Sequence, residues 1–104
     1  MMDIMDAWRA LGEDPELIIE EIKSNLSIDS RINVVESILN RAERIGKALM
    51  AVHHPDKNQN DSGATKRFIR VKNAIESIRF HTEIFKKDNI KRKQKVHLDE
   101  VIFK

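Results

Sequence analysis

An apolar stripe at helical spacing, cut short by a single proline, constrains this chain more than any other feature. Val35, Ile38, Ala42, Ile45, Leu49 and Val52 recur three and four residues apart, so they share one face of a helix of about five turns. Pro55 drives the residue before it out of α geometry, so that helix must end at His54 or just before it. Asn58, Asn60, Asp61, Ser62 and Gly63 are turn formers and read as a loop. From Ala64 the helical period returns through Phe68, Val71, Ile75, Ile78, Thr82 and Phe85, with Asp61 or Ser62 as its cap. Two long amphipathic helices joined by a loop of about ten residues are expected to pack as an antiparallel hairpin.

The segment before this hairpin is also helical in pattern. Ile4, Trp8 and Leu11 stand on one face of a short helix that Gly12 can end. Asp14-Pro15 is a helix start, because Asp14 can cap and Pro15 lacks only an amide that the first turn does not use. Leu17, Ile18, Ile22 and Leu26 supply the apolar face of the second helix, and Ser27, Asp29 and Ser30 break it and can cap the next. The expected helices lie near 3–11, 15–26, 31–52 and 64–86. They make one all-α domain over residues 1–86, a hairpin with additional N-terminal helices, followed by a basic tail at 87–104. Within that tail, Val96 to Phe103 is the one stretch with strand-like alternation.

The chain has 104 residues and no cysteine, which excludes a disulfide framework, a Cys-ligated zinc or iron–sulfur cluster and a thiol nucleophile. No apolar run approaches the roughly 20 residues of a membrane span. Asp3 and Asp6 stand against a secretory or mitochondrial leader at the first residues. The net charge of +2 hides an asymmetry. Residues 1–40 carry nine acids and three bases, a net of −6; residues 41–104 carry eight acids and sixteen bases, a net of +8. A basic second half suits an acidic partner surface or nucleic acid. The run Lys86, Lys87, Lys91, Arg92, Lys93 and Lys95 has no interleaved aromatic residues to stack on bases, so nucleic acid is not the expected partner.

The informative residues sit in the loop: His53-His54-Pro55-Asp56-Lys57-Asn58. Pro55 stiffens the backbone while His54 and Asp56 project from the hairpin tip, which makes a pre-organised recognition element. Asp56 can accept a bidentate bond from a partner arginine. Adjacent side chains such as His53 and His54 diverge, and no histidine pair four apart exists, so no metal site is expected. There is no nucleophile–base pair, no glycine-rich phosphate loop and no convergent carboxylate pair, so neither an enzyme nor a cofactor is expected.

With His54-Pro55-Asp56 followed by Lys57-Asn58, the sequence resembles the J-domain family, the DnaJ-type co-chaperones. The family's F-x-x-I-x-x-A-Y-x-x-L pattern after the loop is met by Phe68, Val71, Ala74, Ile75 and Ile78. Leu49 and Lys47 fall where the family has a core leucine and a basic contact residue. The match covers roughly residues 41–80. It departs from the family at Gly46, where a tyrosine is usual, and at Glu43, Ala48 and Val52, where basic residues are common. At the front, Trp8 belongs either to the family's opening helix or to an added one, with 15–26 then the family's first helix.

The resemblance implies binding to a heat shock protein 70 family chaperone and stimulation of its ATP hydrolysis. His54, Pro55 and Asp56 would make the essential contact, with Lys57 beside them. Arg41, Arg44 and Lys47 would face an acidic surface, Asn58 would support the loop, and Phe68 would lie near it. The alternative is a J-like helical adaptor without ATPase stimulation, scaffolding a protein complex or nucleic acid. Either way the expected protein is a monomer with no membrane partner, in the cytoplasm or else the nucleus.

Overall fold

The computed structural model describes the backbone of residues 1–103 and the side chains of residues 1–92. It is all-helical: α1 (Ile4–Ala10), α2 (Pro15–Lys23), α3 (Ile28–Val52), a single 3-10 turn (Pro55–Lys57) and α4 (Ala64–Phe103). Among the described residues no helix is long and apolar enough to cross a membrane.

Local chemistry explains most of the boundaries. Asp3 caps α1 by accepting from the Met5 amide at 2.8 Å. Gly12, at φ +81°, ends the helix by adopting a conformation that a residue with a Cβ resists. The amides of Gly12 and Glu13 bond back to Arg9 and Trp8 at 3.0 Å each, which satisfies two terminal carbonyls. Asp14 caps α2 through the Glu16 amide at 3.0 Å, with Pro15 in the first turn. That helix stops at Lys23, short of the expected 26, because Ser24 and Asn25 both turn their side chains back onto the Glu21 carbonyl. Leu26 therefore leaves the apolar face assigned to it and stands 92% exposed. Ser27 caps α3, which starts three residues earlier than residue 31.

The hairpin of α3 and α4 forms the body. α1 lies chiefly on α4, and α2 on α3. One core unites the four helices: Ala7, Trp8 and Leu11 of α1 and Ile18 of α2 meet Ile38 and Ala42 of α3 and Val71, Ala74, Ile75 and Ile78 of α4. Each large apolar side chain so buried contributes about 1.5–3 kcal/mol. The expected stripe on α3 is buried through Val35, Ile38 and Ala42 and partly buried at Ile45 and Leu49. Val52 departs from it and is 64% exposed, because the helix ends there and α4 begins only beyond the loop. The N-terminus is fastened by fully buried Ser77, whose Oγ donates to the Met2 carbonyl at 2.6 Å.

The charge asymmetry is partly consumed inside the fold. Arg41 Nη2 lies 3.1 Å from Glu21, and its Nε is 3.9 Å from Glu13, so this one side chain holds α2 and the turn before it onto α3. Arg79 of α4 reaches Glu43 of α3 at 2.8 Å, and Lys86 reaches Glu36 at 3.0 Å. Glu13, Glu21 and Glu36 of the first half thus each lie against a base of the second, while the Arg79–Glu43 pair lies within the second half.

α4 does not end near residue 86. It continues to Phe103, so the segment read as a tail, including the strand-like alternation from Val96, is helical. The physical reason is the absence of a breaker: no glycine or proline follows Gly63, and Lys, Arg, Gln and Glu are good helix formers. At 1.5 Å per residue α4 spans about 60 Å against about 37 Å for α3, so it outruns its partner. The molecule is correspondingly elongated, 69 Å by 21 Å by 18 Å.

Candidate functional site

The loop between α3 and α4 is built by short-range bonds that leave its tip exposed. His54 has φ −57° and ψ 130°, the extended geometry that a following proline imposes. Pro55 then opens the 3-10 turn, closed by amide bonds from Lys57 to His54 at 3.0 Å and from Asn58 to Pro55 at 3.2 Å. The Asp56 amide donates to His54 Nδ1 at 3.1 Å, so the neutral ring carries its proton on Nε2, facing outward bonding. The Asp56 carboxylate lies 3.8 Å from that same Nδ1, too far for a hydrogen bond, and is 88% exposed. It is therefore free to accept from a partner.

Two side chains hold this turn against the helices. Asn58 donates to the Val52 and His54 carbonyls at 2.8 and 2.9 Å, satisfying acceptors at the end of α3 that the helix itself leaves open. Half-buried Phe68, on the second turn of α4, meets the His54 ring edge to face at a centroid distance of 5.4 Å. The loop is closed on the far side by Arg67, which donates to His53 Nδ1 at 3.2 Å and pairs with Asp61. Asp61 shapes the turn that leads into α4, its Oδ1 accepting from the Gly63 amide at 2.9 Å; Gly63 precedes the helix, so this bond is not the expected helix cap.

The residues expected to carry function do not all come together. His54, Pro55, Asp56, Lys57, Asn58 and Phe68 form one cluster. Arg44 and Lys47 are exposed on α3 and make no ion pair among the described residues, so their charge is available. Arg41 is set apart by its hold on Glu21 and Glu13 and belongs to the α2–α3 contact. The departures at Gly46 and Glu43 are explained by packing: both point to α4, where Gly46 meets Ile75 and Glu43 meets Arg79. Ala48 and Val52 lie on the exposed side. His81 is half-buried and bonded at Nδ1 to the Ser77 carbonyl at 2.8 Å; His97 lies outside the described side chains. Arg67 was not among the expected site residues, although it closes the loop. Its position three residues into α4 gives no sign of this, since its partners lie 6 and 14 residues back.

The hydrogen bond from Arg67, and then the Gly63 amide, hold the Asp61 carboxyl below the ordinary carboxylate range. A carboxyl depressed on folding stabilises the fold above its unfolded value, about pH 4, and that contribution is lost as pH falls through the lower folded value. The Gly63 amide resonance should therefore titrate below pH 4, and Asp61→Asn should abolish the titration. A midpoint at the ordinary carboxylate value would show that the Arg67 bond does not persist in solution.

Against known proteins, the chain matches no family model, no curated protein and no solved structure.

Proposed function

We propose that this chain is a J-domain co-chaperone that binds a heat shock protein 70 family partner through the His54-Pro55-Asp56 turn and stimulates its ATP hydrolysis. The observation that carries the reading is the free Asp56 carboxylate at the tip of a turn whose backbone is fixed by the Lys57 and Asn58 amides and by the Asn58 side chain. A carboxylate presented on a stiff turn loses little entropy on docking and can take a bidentate bond from an arginine. Arg44 and Lys47, one turn apart on the preceding helix, supply the cationic flank. The domain contributes no catalytic group; it acts by favouring one conformation of its partner, and an energetic preference between two states is all that such stimulation requires. The cytoplasm is the proposed compartment.

The second reading, an adaptor without ATPase stimulation, draws support from one feature. α4 continues through residues 87–103, well past the hairpin, and its described part carries Lys87, Lys91 and Arg92 without ion pairs. Such an extension serves scaffolding on an acidic protein or nucleic acid and is not needed by the loop.

Single-turnover ATP hydrolysis by a purified chaperone of this class, with and without the domain, separates the two. Asp56→Asn keeps the shape and removes the charge. Losing one partner of a buried charged pair costs about 2–5 kcal/mol of binding, so stimulation should fall by more than tenfold. A folded domain that stimulates none of several such chaperones would leave the adaptor reading in place.

A further inference from the structure

Three arginines and a histidine, drawn from three helices, surround one hollow beside the loop. The cavity measures about 220 Å3 and is bounded by Arg9 of α1, His53 at the end of α3, and Arg67 and Arg70 of α4. Ala10, Leu49 and Val71 form its apolar floor, and no acid lines it. We propose that this cavity is a binding site for a phosphate-type dianion.

The donors are already arranged for one. Arg67 Nε donates to His53 Nδ1, which leaves Nε2–H as the neutral ring's free donor. Arg9 and Arg67 each have one carboxylate companion outside the cavity lining, Asp6 at 3.1 Å and Asp61, and both pairs are well exposed. The guanidinium of Arg70 has no partner among the described residues. Asp6 and Asp61 offset two of the three guanidinium charges, which leaves Arg70 uncompensated beside an open cleft that no acid lines. An anion in the hollow would pair with Arg70 and with the guanidinium N–H groups that Arg9 and Arg67 leave unused. A carboxylate has two oxygens to offer; a phosphate has more, and guanidinium forks match its edges two bonds at a time. The ligand is thus inorganic phosphate or a phosphate monoester. The site does not depend on the chaperone reading, because none of its residues is in the His54-Pro55-Asp56 turn.

The test is a titration of the isotopically labelled chain with sodium phosphate, followed by amide NMR at ionic strength held constant with chloride. Saturable shifts should centre on Ala10, His53, Arg67 and Arg70. Arg70→Gln removes a side chain with no fold partner and should weaken phosphate about tenfold or more. Arg9→Gln, also exposed, should act in the same direction, and Arg44→Gln, outside the cavity, should change nothing. Glycerol phosphate titrated separately distinguishes the sources: tighter binding assigns a phosphate carried on an organic group, and equal binding assigns free phosphate. Shifts that drift without saturating, or equal losses in Arg70→Gln and Arg44→Gln, would overturn the site in favour of general attraction to a basic surface.

Discussion

Trp8→Ala should destabilise the domain by about 3–5 kcal/mol, the range for removing a buried aromatic side chain. Against a typical total of about 5–15 kcal/mol, that is enough to leave much of the chain unfolded at moderate temperature. The value belongs at the upper end for a structural reason. Trp8 is only 5% exposed and is the bulkiest side chain of the core in which all four helices meet, together with Ile18, Ile38 and Ile78. Deleting the indole leaves a gap bordered by all four helices, and whatever volume does not refill adds about 24 cal/mol per Å3 to such a loss. Trp8→Phe keeps a ring and should recover most of it. Because Trp8 is the only tryptophan, urea unfolding of the variant is best followed by circular dichroism at the helix band. A loss under about 1 kcal/mol would show that α1 is peripheral to the core and that the hairpin stands without it.

The hairpin was legible in the sequence because its signals are local. An apolar residue every third or fourth position, Pro55 after His54, Gly12 after Leu11 and Asp14 before Pro15 each act within one or two turns, and each acts as expected in the fold. What the sequence left hidden depends on distance or on competition. Leu26 fits the apolar face of α2 by spacing alone, yet Ser24 and Asn25 capture the Glu21 carbonyl first and end the helix. The run of basic residues after Lys86 suggests a solvated tail, whereas the governing fact is that nothing in it stops a helix already under way. The loop cluster, from His54 to Asn58 with Phe68, could be named from its residues. The cavity of Arg9, His53, Arg67 and Arg70 could not, because no spacing relates positions on three helices. Arg41 illustrates the same limit in reverse: three apart from Arg44 and Lys47, it looks like their equal, but Glu21 and Glu13 claim it. Charges left without a fold partner are the better guide to an interface than charges counted along a helix.

Gly46 is the position where the sequence and the packing give opposite answers, and a double-mutant cycle with Ile75 decides between them. Read locally, glycine within a helix costs about 1 kcal/mol relative to alanine, so Gly46→Ala should stabilise α3. In the packed hairpin a Cβ at Gly46 would overlap Ile75 Cδ1 and lie 2.7 Å from Cγ1, contacts that real side chains do not tolerate. Overpacking of this kind costs about 1–3 kcal/mol, so after the gain of about 1 kcal/mol in helix propensity the net result should be a loss of about 0–2 kcal/mol. Ile75→Ala alone should cost about 2–5 kcal/mol, since Ile75 is 6% exposed and its removal leaves a void against α3. The two changes together should cost clearly less than their sum, by about 1–3 kcal/mol, because the added methyl enters the space that Ile75 vacates. Chemical denaturation of the four proteins measures the coupling. Additivity within about 0.5 kcal/mol, or a stabilising Gly46→Ala, would mean that α3 and α4 do not approach here as closely as described. A coupling of the expected sign also means that no larger side chain fits at residue 46 unless Ile75 gives way. Gly46 belongs to the contact between α3 and α4, so its substitution should act on stability and leave the Asp56 tip, which it does not touch, unchanged in the protein that remains folded.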